Sequence, residues 1–280
     1  MSAHGVGVLF GHRGGCRPKG WSTVFRRQAA FSLMVVVAAC CTFALAHFQE
    51  LIPARDVVTQ DTGASLDLEL AFTHPFEQGP LMDMETPTRF GVLVDGTTED
   101  LLGTLDVVGV GDAKAYRATY DVRRPGDHIF FVEPASYWEP AEGAFIIHYT
   151  KVVVNGYGAD EGWDAHVGFP VEIEPLARPY DLFTGNLMRG RVLHEGEPVP
   201  FATVEVEWRN DGTVDAMDHD FTTQVIKAGA DGVFSYAMPR DGWWGFAALV
   251  TSDETLESPA GERVPVELGG LLWVHVEPLE

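Results

Sequence analysis

His47, His74, His148 and the methionine-flanked Asp83 are the residues of this chain whose types could do metal chemistry, and His47 is the strongest of them. Ala44-Leu45-Ala46 closes an apolar run immediately before His47, and small-x-small at such a border is the pattern at which a secretory leader is cut. A cut after Ala46 makes His47 the first residue. Its α-amino group and imidazole then form a two-nitrogen chelator on one residue. An α-amine titrates near ~7.7–8.0, against about 10.4 for a lysine amine, so its deprotonation for coordination costs little near neutrality. Phe48, Leu51 and Ile52 follow directly and are apolar anchors for docking the new terminus. Without them a terminus usually frays.

His74 stands where an apolar alternating segment runs into Pro75-Phe76-Glu77. Strand ends on a rigid sheet commonly present ligands, and capping of the strand by a backbone hydrogen bond is the equal alternative. His148 lies in Phe145-Ile146-Ile147-His148-Tyr149-Thr150-Lys151. Period-two alternation puts it on one face with Ile146, Thr150 and Val152, so its residue context alone reads as a satisfied core histidine. Between Pro80 and Pro87, Met82-Asp83-Met84-Glu85 brings two thioethers and two carboxylates. Asp83 there is either a ligand or a partner that orients an imidazole, while methionines under a loop more often simply pack.

Cys16, Cys40 and Cys41 all precede His47. The expected mature chain therefore lacks disulfides, thiolate zinc sites, iron–sulfur clusters and a cysteine nucleophile, which leaves imidazole as the principal transition-metal donor. Residues 1–46 read as a signal peptide with a basic start and an apolar middle. A retained anchor and lipidation at Cys40 are the competing fates. Five of the 19 basic residues and none of the 41 acidic ones precede His47, so cleavage moves the net charge from −22 to −27. Such a surface repels nucleic acid and anionic lipid and concentrates cations. No Gly-x-Ser-x-Gly elbow, His-Glu-x-x-His pair or phosphate-binding glycine loop is present.

The elements that must position these residues are strands. Short β-branched or alternating runs, such as Leu66–Phe72, Tyr116–Asp121 and Phe145–Val154, are separated by turn dipeptides including Asp95-Gly96 and Asp231-Gly232. Long amphipathic helices are absent from the pattern. The expected fold is all-β, with two sandwiches of antiparallel sheets and a boundary at Pro175–Tyr180. An N-terminal metal-binding domain spans 47–178 and a second domain spans 179–280. The later runs, with a Pro-containing turn at Gly196–Phe201 and the Asp231-Gly232 turn, resemble the prealbumin-like sandwich of carboxypeptidase regulatory domains.

Several blocks together resemble one family: Ala46-His47-Phe48-Gln49, His74-Pro75-Phe76-Glu77 with Met82-Asp83-Met84, Tyr137-Trp138-Glu139-Pro140-Ala141-Glu142, His148-Tyr149-Thr150-Lys151, Arg178-Pro179-Tyr180 and Gly242-Trp243-Trp244-Gly245-Phe246. The family is a domain of unknown function associated with the periplasmic component of nickel/cobalt uptake transporters. The resemblance implies an exported, periplasmic binding protein rather than an enzyme. It would capture nickel or cobalt, with copper or zinc as further candidates, and present it to a membrane metal transporter complex. It also implies His47, His74 and His148 as metal ligands, with Asp83 beside them. Neither nucleic acid nor a direct sugar substrate is expected. Two other classes are weighed against this one: a copper histidine-brace oxidase or mono-oxygenase, which also begins with histidine on a β-sandwich, and a metal-free carbohydrate-binding or adhesion module.

Overall fold

The computed structural model describes residues 47–111, 113–215 and 219–279. The expected leader, its cut after Ala46 and the three cysteines lie outside the described residues. What is described is all-β and is built as three sheets. The first is antiparallel and runs Phe48–Pro53, Ser65–Thr73, Ala113–Asp121, Asp106–Val110 in spatial order. The second has eleven strands. Its backbone order is Thr223–Lys227, Thr203–Trp208, Gly242–Glu257, Arg263–Glu277, Ala144–Gly156, Gly126–Glu133, Arg89–Val94, Thr97–Asp100. The third gathers Val171–Pro175, Leu187–His194, Glu197–Pro198 and Val233–Ala237.

The two smaller sheets cover opposite faces of the large one, and side-chain alternation shows it. In the strand Arg263–Glu277, Leu271 and Trp273 join the apolar cluster containing Phe48, Leu66, Leu68 and Leu70 of the first sheet. Leu272 and Val274 join the cluster containing Ile173, Met188, Val192 and Phe234 of the third. A strand buried on both faces reads as a continuous apolar run rather than an alternating one, which is how Leu271-Leu272-Trp273-Val274 reads.

The large sheet crosses the boundary expected near residue 178. Its central junction is a parallel pairing of Ala144–Gly156 with Arg263–Glu277, in which His148 stands opposite Gly269. The other long pairings are antiparallel, as the sequence pattern implied. The Asp95-Gly96 dipeptide closes a tight hairpin, with φ of 49° and 68° at the two positions. That is the left-handed pair a two-residue hairpin turn requires.

The strand after His47 is buried at every position, including the polar Gln49 and Glu50. Buried polar groups must be paired, and here they are. Gln49 Nε2 donates to the carbonyls of Glu50 and Ala71, both at 2.9 Å. Trp273 Nε1 donates to the Gln49 carbonyl at 3.0 Å, and Arg209 Nε donates to Glu50 at 3.0 Å. His47 is thus attached to a strand fixed in the core.

Candidate metal centre

His47, His74 and His148 come from three different strands or strand ends, and the fold brings them to one place. The His47 and His74 rings lie 4.8 Å apart between centroids, edge to face. Phe72 links the group: its ring stacks on His47 at 5.6 Å and meets His148 edge-on at 5.9 Å. The three imidazoles are nearly closed off from solvent, with side-chain exposures of 9%, 8% and 2%. Among the described residues no three His, Cys, Asp or Glu side chains are drawn into a ready-made coordination shell. In the uncut chain the His47 nitrogen is an amide, which is no donor.

Each position has a local cause. His74 follows the last residue of Ser65–Thr73, and its carbonyl accepts the Gly79 N–H at 3.3 Å to close the loop. That loop is tied to Thr203–Trp208 because Phe76 N–H donates to Glu207 Oε2 at 3.3 Å and Gln78 Nε2 donates to the Asn210 carbonyl at 2.8 Å. His148 lies across from Gly269, where an added Cβ would fall 2.3 Å from the imidazole Cδ2 and 2.8 Å from Nε2. The ring occupies space that only glycine leaves open.

A carboxylate faces each ring. Glu139 Oε2 is 3.0 Å from His47 Nε2, Glu77 Oε2 is 3.2 Å from His74 Nδ1, and Glu267 Oε1 is 3.6 Å from His148 Nε2. Burial, with His74 nearby, depresses the His47 imidazole to about 4 against the pull of Glu139. The ring is therefore neutral at neutral pH, the state that can bind a metal. Beyond these pairs lies further acid. Burial pushes Glu142 and Glu205 up to about 7, each helped by Glu267. Glu207, which accepts from the Thr223 hydroxyl, is also pushed to about 7 by burial.

Asp83 stands apart from the imidazole pairs. Its Oδ1 accepts the Lys114 backbone N–H at 2.9 Å, and its Oδ2 is 3.7 Å from Lys114 Nζ. Met82 and Met84 on either side are buried in the core, and Gln49 Nε2 points at Met84 Sδ at 3.6 Å. The carboxylates that do face the rings were not singled out from sequence. Glu77 carried a signal in its i,i+3 spacing from His74. Glu139 sat in the Tyr137–Glu142 block that accompanies the histidine blocks in the family resemblance. Glu267 had none, since only strand pairing delivers it.

A family model matches residues 44–252, most of the chain. The chain belongs to that family, a domain of unknown function (DUF4198). The match spans His47, Asp83, Glu139 and the other two histidines, and stops before Glu267 and Gly269. No curated protein matches. Among solved structures, a bacterial 1.5-MDa ice-binding adhesin is similar at 9% identity and TM-score 0.23. The alignment covers 84% of this chain, which spans 65% of that one. A DUF3823 family protein from Bacteroides uniformis is similar at 11% identity and TM-score 0.22, over 82% of this chain and 100% of that one.

Proposed function

We propose that this DUF4198 chain is an exported protein that captures a divalent transition metal, nickel or cobalt by preference, and hands it to a membrane transporter. The observation that carries the reading is the convergence of three buried imidazoles from distant parts of the chain, each faced by its own carboxylate. A carboxylate on one ring nitrogen draws the proton there and leaves the other nitrogen as the donor. Glu139 at Nε2 of His47 leaves Nδ1 free, the nitrogen that can close a chelate ring with the α-amine of the same residue. Glu77 faces Nδ1 of His74 at 3.2 Å. Glu267 lies 3.6 Å from Nε2 of His148, beyond hydrogen-bond distance, so it assigns no donor nitrogen there. Imidazole and amine donors without thiolate suit nickel, cobalt, copper and zinc, and exchangeable nitrogen ligands suit a protein that must release its cargo. The cluster of carboxylates around the site draws cations toward it.

The test is to define the mature N-terminus by mass spectrometry and titrate nickel, cobalt, copper and zinc by calorimetry. Three proteins are compared: the form beginning at His47, the His47→Ala variant, and a form carrying one extra residue before His47. The extension removes the amine as a ligand and leaves every imidazole intact, so affinity should fall by about 100-fold or more. Equal affinity in the extended form, or a secreted product that retains its leader, refutes the chelate. Copper-dependent peroxide formation with a reductant would point instead to the oxidase class.

A further inference from the structure

Beside His148 the structure opens a cavity of about 330 Å³, at the small end of the ~300–1,000 Å³ usual for small-molecule sites. Phe72, Tyr137, Phe145 and Ile146 line it, as do Asp83 and Glu85, whose side chains are 48% and 73% exposed. The walls are aromatic, with Phe72 set edge to face on Tyr137 at 5.0 Å and Trp138 tilted against Phe145 at 5.2 Å. His148 lines the same space. Its side chain is 2% exposed, and neither ring nitrogen has a hydrogen-bond partner among the described residues. The Glu267 carboxylate approaches Nε2 only to 3.6 Å. A buried polar group left without a partner is costly, so an unpaired imidazole at the side of an aromatic cavity calls for a complementary ligand.

We propose that this cavity binds a small planar heteroaromatic molecule whose ring lies against Phe72, Tyr137 and Phe145 and whose ring nitrogen meets the His148 imidazole. The aromatic walls favour a flat ring through offset and edge-to-face packing. Asp83, Glu85 and the net charge of −22 select against anions, so the ligand is neutral or cationic. Its site needs no metal. It rests on the metal reading in one respect: His148 belongs to both sites, so ring and ion would compete for its imidazole.

Benzimidazole is the probe, added to metal-free protein and followed by calorimetry and by ligand-observed NMR saturation transfer. A Kd of about 0.1–1 mM is expected for so small a ring. Ala135 also lines the cavity, so Ala135→Trp places an indole in it while keeping every histidine, and it should weaken benzimidazole at least about tenfold while leaving nickel affinity unchanged. His148→Phe keeps the ring area but removes both nitrogens, and should weaken benzimidazole by a similar factor. The fold of both variants is checked by thermal melting. Absence of binding to the wild type, or equal binding by Ala135→Trp or by His148→Phe, overturns the proposal. Benzimidazole binding without any uptake of transition metal would overturn the capture function and leave this site standing. Metal uptake without benzimidazole binding would do the reverse.

Discussion

Replacing Gly269 by alanine tests whether the position of His148 matters. Gly269 has no positive φ, so alanine meets no backbone obstacle. The obstacle is the ring: the new Cβ falls 2.3 Å from His148 Cδ2, 2.8 Å from Nε2 and 3.0 Å from Cγ. Carbon atoms rest about 3.5–4.0 Å apart, so the imidazole must retreat by more than about 1 Å. Metal–ligand distances hold within about 0.2 Å, and a shift of that size withdraws His148 from any shared ion. Overpacking of this kind costs about 1–3 kcal/mol, a little of which is offset because alanine orders more readily than glycine in a strand. The expected result is a folded protein with a modestly lower Tm and nickel affinity down about 10–100-fold. Calorimetry on the form beginning at His47 measures the affinity. A double-mutant cycle with His148→Ala separates the causes. Once the ring is gone, Gly269→Ala should cost no further affinity. Unchanged affinity in the single variant would refute the reasoning, as would an equal further loss in the His148→Ala background.

Three other outcomes are expected. Glu139→Gln removes the charge 3.0 Å from His47 Nε2 while keeping an oxygen to accept the Ala141 N–H. Metal affinity should fall about 10–100-fold at nearly constant Tm, and no change would remove Glu139 from the site. The three glutamates raised to about 7 keep protons in the folded state that the unfolded chain has released above about 4.5. Their contribution to stability is therefore full at low pH and is lost as pH rises through 7. His47, lowered to about 4, acts in the opposite sense between 4 and 6.5. Glu205→Gln should accordingly stabilise the fold by about 1–3 kcal/mol at pH 8 and hardly at all at pH 4.5, and a pH-independent gain in urea unfolding would contradict this. Burial opposes ionisation of Glu172, yet the Lys151 ammonium at 2.5 Å and the N–H groups of Val167 and Gly168 outweigh it and hold the carboxyl below its usual range. Lys151→Met strands that buried charge and should cost about 3–5 kcal/mol, with partial recovery on adding Glu172→Gln. A loss below about 1 kcal/mol would show that the pair is not what holds the segment 167–169.

Alternation and turn chemistry were enough to find the strands with one clear apolar face. Leu66–Phe72 and Tyr116–Asp121 each lie within an observed strand. Phe48–Pro53 was legible only as a set of apolar anchors. Its Gln49 and Glu50 break any apolar run, and their burial depends on hydrogen bonds from Arg209 and to Ala71 that no local window contains. The same limit applied to the site. His47 announced itself by its place after Ala-x-Ala, and His74 by its place at a strand end. His148 sits mid-strand among apolar neighbours, so its residue context could not separate a ligand from a core imidazole. Asp83 drew attention through its two flanking methionines, but those side chains turn into the core and leave its carboxylate to Lys114.

The residues themselves settled the all-β character, the strong acidity, the absence of cysteine after His47 and the short list of nitrogen donors. These follow from side-chain type and from periods of two residues, which act within a few positions along the chain. Which carboxylate faces His47 and which faces His148 was decided by tertiary structure. So were the opening of an aromatic cavity beside His148 and the requirement for a residue as small as Gly269 under its ring. Those pairings join residues brought together only by the parallel junction of Ala144–Gly156 with Arg263–Glu277 and by the packing of Phe48–Pro53 beneath Trp273. Strand register across a sheet is a global property of the fold, because each long-range pair is fixed only when the burial of all its neighbours is satisfied together.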